Sequence, residues 1–392
     1  MVIDGCCWAN RRGFGRFTRE LLGPLVEQAV AADHRPFLVV DQATARSSDF
    51  PEAATLEVVE TSVQPTRAAI AEGSRSVFDL WRIRQGMLGL RPDVVFFPAV
   101  YSYVPLPSRV PTVATFHDAI AEEHPSLVFP HWKGRLFWGL KTRWALRQAC
   151  RLLTVSNSAR QQIVDAFDYP ADRIVVTEEA PSPSLAPIED SERLAEVRRR
   201  HAVPEDVPIL LYVGGISPHK NLDGLVAALC RVETPWHLVL VGDHLADGFL
   251  SCHRDLMSRI ESLGLTTRVT FTGFVSNEDL AALYSLAKLL VLPSFSEGFG
   301  LPAVEAMACG LPVAVSHRGS LPEVVGSAGE LFDPHDPESM AACIQALLTD
   351  PGRLDRLAER ALERAQDFSW NRSARTVLRL LESVGSESRG ER

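Results

Sequence analysis

Short apolar runs alternate along this chain with longer stretches of helical period, and no other feature restricts its fold as much. The first series is VIDG at 2–5, PFLVV at 36–40, DVVFFP at 93–98, TVATFH at 112–117, RLLTVS at 151–156 and RIVVTE at 173–178. The second is PILLYVGG at 208–215, WHLVLVG at 236–242, RVTFTG at 268–273, KLLVLPS at 288–294 and PVAVS at 312–316. Segments such as RFTRELLGPLVEQAVAA (16–32) and NEDLAALYSLA (277–287) separate them. Strands without polar alternation are buried on both faces, and helical crossovers between them make the sheets parallel. Two such series predict an α/β chain of two doubly wound Rossmann-like domains. The Pro- and Ser-rich stretch from Ala180 to Leu194 marks the junction. The expected division is therefore a first domain 1–183, a linker 184–207 and a second domain 208–367. From 368 a terminal helix is expected to pack back on the first domain, ending in a disordered tail, GSESRGER.

At 392 residues the chain is long for one core, which agrees with two domains. A net charge of −9 argues against a general nucleic-acid binder, which needs a basic face. The seven cysteines are scattered without a C-x-x-C pair, as suits thiols in a reducing cytosol. No secretory signal and no apolar run of about 18 residues is visible, so a cytoplasmic protein is expected, with any membrane contact peripheral.

Sheets of this kind bind ligands outside the carboxyl ends of their strands, and the motifs that carry chemistry follow strand ends. SEGFGLPAVEAMACGLPVAVS, after KLLVLPS, places Glu297 and Glu305 eight positions apart. Pro302 suits a helical first turn, where its missing N–H costs nothing, and Gly310 is a natural stop. Glu305 then lies in or just past that turn, while Glu297 lies on the loop before it. Gly298 and Gly300 let the backbone approach a ligand and offer their amides. Carboxylates that accept from hydroxyls, beside amides that hold an anion, suit a polyhydroxyl ligand bearing phosphate.

With these residues the chain resembles glycosyltransferase family 4, whose members have the GT-B fold and retain anomeric configuration. Glu297 and Glu305 meet that family's E-x7-E motif. RVTFTGFVSNEDLAALYSLAKLLVLPS is similar to the run into it, YVGGISPHKNLDGLV to the phosphate-binding turn, and NRRGFGRFTREL to the first glycine-rich loop. The resemblance implies two domains facing across a cleft. It implies that Glu305 accepts from the ribose hydroxyls of a nucleotide sugar and that Glu297 sits by the transferred sugar. The amides of Phe299, Gly300 and Leu301 would lie near sugar and diphosphate, the base against Phe274 and Val275, and Lys220 on the diphosphate. One departure is Gly215, after Gly214, where many members carry an arginine; Arg16 or His219 is the substitute within this chain.

In the first half, Gly13 and Gly15 admit either a tight turn or close approach of the backbone to the diphosphate, with Arg16 as a counter-charge. A dinucleotide fingerprint fails because its third glycine is Thr18. His117 ends TVATFH; the resemblance puts it beside the transferred sugar, and Asp118 reads as a helix cap. The segment 124–149 mixes tryptophans with Lys and Arg. It reads equally as a helix with aromatics inward or as one lying on an anionic membrane. No D-x-D triplet occurs, so neither metal nor cofactor is expected. The expected activity is transfer of a hexose, with mannose from GDP-mannose favoured, to a glycan, lipid-linked or small-molecule acceptor. The rivals are a nucleotide-sugar epimerase or hydrolase, and a non-catalytic binder.

Overall fold

A computed structural model describes residues 1–63, 65, 76–129, 131–242 and 252–390. It divides into two compact units, Met1–Glu179 with Ser369–Arg392, and Ala180–Phe368.

Among the described residues the first unit holds a seven-stranded, all-parallel sheet. Its strands are β1 (Val2–Asp4), β2 (Phe37–Asp41), β3 (Thr55–Val59), β4 (Val95–Phe97), β5 (Thr112–Thr115), β6 (Arg151–Thr154) and β7 (Ile174–Val176). Their order is β3-β2-β1-β4-β5-β6-β7. The helix Gly13–Ala31 buries Phe17, Leu21, Leu22, Leu25, Val26 and Ala29 at the three- and four-residue spacing of a helical stripe. Each large side chain so covered contributes about 1.5–3 kcal/mol of burial. The terminal helix Trp370–Gly390 packs on this helix.

The second unit holds a six-stranded parallel sheet among the described residues. It comprises β8 (Ile209–Val213), β9 (His237–Val241), β10 (Val269–Gly273), β11 (Leu289–Leu292), β12 (Val313–Ser316) and β13 (Gly329–Phe332), ordered β10-β9-β8-β11-β12-β13.

Three features differ from the sequence reading. Strands β3 and β13 were not expected. Each is an edge strand, where Glu57 or Glu330 interrupts the apolar run that marks a doubly covered strand. The stretch 184–207 is not a free linker but part of the second unit. It forms a helix, Ser191–Arg200, capped by Asp190, and Arg200 and His201 each lie 2.8 Å from the Asp279 carboxylate on the helix Asn277–Leu286. The helix looks like a linker in sequence because its anchors are charged and only Val197 is buried. The expected disordered tail is helical to Gly390, with Ser383 donating to Glu387 one turn on; Glu391 and Arg392 lie outside the described residues.

Candidate active site

The second sheet runs outward from β8 through β9 to β10, then returns to place β11 beside β8. Loops leaving β8 and β11 therefore diverge, and the crevice at such a reversal is where doubly wound sheets bind ligands. Lys220 closes the single 3-10 turn Pro218–Lys220 after β8, and Glu297 stands on the loop after β11. The Lys220 Nζ donates to both carboxylate oxygens of Glu297, at 2.7 Å each. Ser294 Oγ adds a 2.6 Å bond to Oε1, and the Phe295 amide donates to the His219 carbonyl at 2.9 Å. The side chains of Lys220 and Glu297 are 20% and 12% exposed. Burial pushes the Glu297 carboxyl up, but the Lys220 ammonium and the Ser294 hydroxyl outweigh it and hold the group below its ordinary value. Glu297 is an anion at neutral pH, charge-paired and largely out of water.

Asn221 fixes this turn. It takes a left-handed backbone (φ 55°), which Asn tolerates better than most residues, and its buried amide donates to the carbonyls of Pro293 (3.1 Å) and Pro334 (2.7 Å). Asn221 thus ties the turn holding Lys220 to the loop holding Glu297.

The glycine-rich loop ends at Gly300, which caps the helix Leu301–Ala308 with φ 96°; a Cβ there would lie 2.5 Å from Leu321 Cδ2. Gly319 is also left-handed, and its Cα faces the Glu297 backbone so closely that a Cβ would sit 2.8 Å from the amide nitrogen. Beside it, Ser320 Oγ meets the carbonyls of Glu297 (3.0 Å) and Phe299 (2.7 Å). Phe299 is buried edge-to-face on Phe368, and Leu301 is buried. Pro302 stands in the first turn, as its chemistry predicts.

Glu305 lies one position past that turn and is 1% exposed. Tyr284 Oη donates to its Oε2 at 3.0 Å. Burial and the Glu305 charge together push the Cys309 thiol up to about 12. The carboxylate is therefore inside the unit rather than on a solvated helical turn.

Other expected residues are less enclosed. Gly214 stands over the Tyr212 hydroxyl, which donates to the Gly215 carbonyl at 2.8 Å. Gly215 is exposed, and nothing lies within 4 Å of where its Cβ would stand, so the missing arginine has room there. After β10, Phe274 is 52% exposed while Val275 is buried.

In the first unit the reversal falls between β1 and β4. The loop after β1 leads into the helix Gly13–Ala31, and Phe14 stacks on Tyr101, after β4, at 4.4 Å. Gly15 is buried, and a Cβ would lie 2.1 Å from the Asn10 carbonyl, so this glycine serves the loop's own packing; Gly13 faces open space. Arg16 is partly buried on the same turn. Arg19, which the motif reading missed, donates to the carbonyls of Trp8 and Asn10 and so clamps the loop. His117 follows β5. Its Nε2 lies 3.1 Å from the Pro98 carbonyl, which can only accept, so that nitrogen carries the proton. Nδ1 stands 3.7 Å from Glu179, and Phe17 meets the ring edge-on at 4.7 Å. Asp118 accepts from the Ile120 amide, a local cap. Glu122, not anticipated, is pushed up to about 7 by burial and the Asp118 charge, although the Trp138 indole hydrogen bond (2.6 Å) pulls it down.

Among the described residues no group of three or more His, Cys, Asp or Glu side chains is arranged to hold a metal ion, and no helix is long and apolar enough to cross a membrane.

Residues 15–178 match the family model described as Glycosyltransferase Family 4, and residues 195–364 that described as Glycosyl transferases group 1. The O-antigen chain mannosyltransferase B of Escherichia coli is 37% identical over 270 residues, covering 68% of this chain and 68% of that protein. The serotype-specific mannosyltransferase WbdA of Escherichia coli is 28% identical over 420 residues, 97% of this chain but 48% of that protein; the chain spans about half its length. The D-inositol 3-phosphate glycosyltransferase of Kineococcus radiotolerans is 31% identical over 307 residues, 74% of this chain and 68% of that protein. Among solved structures, sucrose-phosphate synthase from Thermosynechococcus elongatus superposes with a TM-score of 0.75 at 20% identity, over 98% of this chain and 99% of that one. Anabaena HepE in complex with UDP-glucose gives 0.74 at 19%, over 97% and 99%. At these identities the structural likeness shows the fold.

Proposed function

This chain belongs to glycosyltransferase family 4, and from that premise we propose that it moves a hexose, mannose from GDP-mannose in the first instance, onto an acceptor hydroxyl with retention of configuration. The observation that carries the reading is the constellation at the reversal of the second sheet: Lys220 paired with Glu297, and Glu305 buried on the adjoining helix. An ammonium has three donors, two of which go to Glu297. The third serves a diphosphate oxygen, and the amides of Phe299, Gly300 and Leu301 at the helix start add further donors. Glu297 is thus the hydroxyl acceptor for the sugar, Glu305 that for the ribose, and the loop at Phe274 and Val275 the platform for the base.

Bond breaking builds negative charge on the leaving diphosphate, and a fixed cation there is worth about 10²–10³ in kcat. Lys220 supplies it, with no metal in the scheme. Because Gly215 brings no second cation from its own position, Arg16 is the candidate substitute on the first glycine-rich loop. The acceptor attacks the face the diphosphate leaves, and the departing phosphate takes its proton. His117, through its ring or its backbone carbonyl, stabilises the positive charge that develops at the anomeric carbon. Mannose is favoured because two of the relatives above are named mannosyltransferases; UDP-glucose, present in the HepE complex, is the main competitor. The acceptor is a glycan, a lipid-linked sugar or a small molecule, and the reaction is set in the cytoplasm.

The test is a thermal-shift panel of GDP-, UDP- and ADP-sugars, followed by NMR of the product's anomeric centre. An α-linked product from GDP-mannose, formed undiminished in EDTA, supports the proposal. A β-linked product overturns retention, and nucleotide release without acceptor favours a hydrolase or epimerase.

A further inference from the structure

The helix Trp132–Gln148 in the first unit turns its large apolar side chains outward. Trp132, Leu136, Leu140 and Trp144 succeed one another at four-residue steps and are 71%, 51%, 56% and 59% exposed, with Phe137 beside them at 69%. The fully buried positions of the helix are Thr142 and Ala145. A helix on a soluble protein shows the reverse pattern. At 3.6 residues per turn the outward residues fall within an arc of roughly 140°, and exposed Lys133, Arg143 and Arg147 fall in that same arc. The helix carries Arg135 and Lys141 as well and no acidic residue, in a chain of net charge −9.

A second exposed cluster lies on the helix Val77–Gly89: Val77, Phe78 and Trp81, the last two rings stacked at 5.8 Å with the Arg82 guanidinium 4.4 Å over Phe78. Ile83 and Met87 of this helix and Ala145 of the other enter one apolar core, so both helices cover the same face of the first sheet. Pro130, inside the 124–149 stretch singled out in the sequence, lies outside the described residues.

We infer that this face docks on an anionic lipid surface. Exposed apolar area on this scale marks an interaction site, and basic residues interleaved with Trp, Phe and Leu suit the interface between headgroups and acyl chains. A second copy is disfavoured, because two such faces would bring like charges together. The outward Trp132, Phe137 and Trp144 speak against the reading of 124–149 as a helix with its aromatics turned inward.

The full chain is sedimented with large vesicles of phosphatidylcholine alone or with phosphatidylglycerol, at low and high salt. Binding to the anionic vesicles that weakens with salt is expected, with little to the neutral ones. L136S/L140S/W144S should lower the partition coefficient at least tenfold, and K133E/R143E/R147E about fivefold or more per charge, at ~1 kcal/mol each. Unchanged melting temperatures show that both variants fold. No binding to phosphatidylglycerol vesicles at low salt, or binding that survives both variants, overturns the inference. So does concentration-dependent self-association abolished by L136S/L140S/W144S, which would give the face to a second copy.

Discussion

Replacing Lys220 by Met keeps most of the side-chain volume and removes the charge, so its effect follows from what Glu297 is left with. Both Glu297 oxygens lie 2.7 Å from Nζ, and the carboxylate, 12% exposed, would keep only the Ser294 hydroxyl among the bonds described above. Breaking an enclosed pair by removing one partner costs about 3–5 kcal/mol; partial exposure of both side chains puts this case near 3 kcal/mol. Glu297→Gln leaves the more exposed lysine and should cost about 2 kcal/mol. The double variant should fall short of the sum by about 1–3 kcal/mol, the coupling expected of direct contact. Urea denaturation of the four proteins at pH 7 measures all three quantities. Since the folded carboxyl titrates below its ordinary value, the stabilisation is complete above the ordinary glutamate range and is lost as pH falls through the folded value. The penalty of K220M should accordingly shrink on acidification below about pH 4. A K220M protein within about 0.5 kcal/mol of the parent at pH 7, or strictly additive variants, would refute the reasoning.

Tyr284→Phe removes the hydroxyl that donates to Glu305 and should cost about 2 kcal/mol in urea unfolding, the range for a bond to a charged group. Gly300→Ala forces a Cβ into a left-handed backbone and against Leu321, so about 3 kcal/mol and a melting point roughly 8 °C lower are expected by calorimetry. Glu122 holds its proton to about pH 7 when folded, so its contribution to stability declines as pH rises from the ordinary glutamate range to about 7 and is level above. Glu122→Gln should flatten that part of the stability–pH curve by on the order of 3 kcal/mol.

The doubly covered strands were legible because burial on both faces leaves an unbroken apolar run, as in Leu289–Leu292. The edge strands Thr55–Val59 and Gly329–Phe332 lack that signature, since among the described residues one flank faces no neighbouring strand. Glu297 and Glu305 could be read as a pair from spacing alone, and the helix start at Pro302 from proline's missing donor. That Glu297 is gripped by Lys220, 77 positions away, could not: the pairing arises only when β11 returns beside β8. Asn221 left a faint signal, an amide side chain just after the Pro218–Lys220 turn, where a left-handed residue is needed. Arg19 and Tyr284 left none, because an arginine within an amphipathic helix and a tyrosine among alanines and leucines both look like ordinary packing.

The proposed transfer requires a nucleotide sugar held at the reversal of the second sheet, and a crystal structure of the full chain with GDP-mannose tests that directly. The prediction is a diphosphate within hydrogen-bonding distance of Lys220 Nζ and the amides of residues 299–301, with ribose hydroxyls on Glu305. A donor bound elsewhere, leaving Glu305 bonded only within the protein, would contradict it.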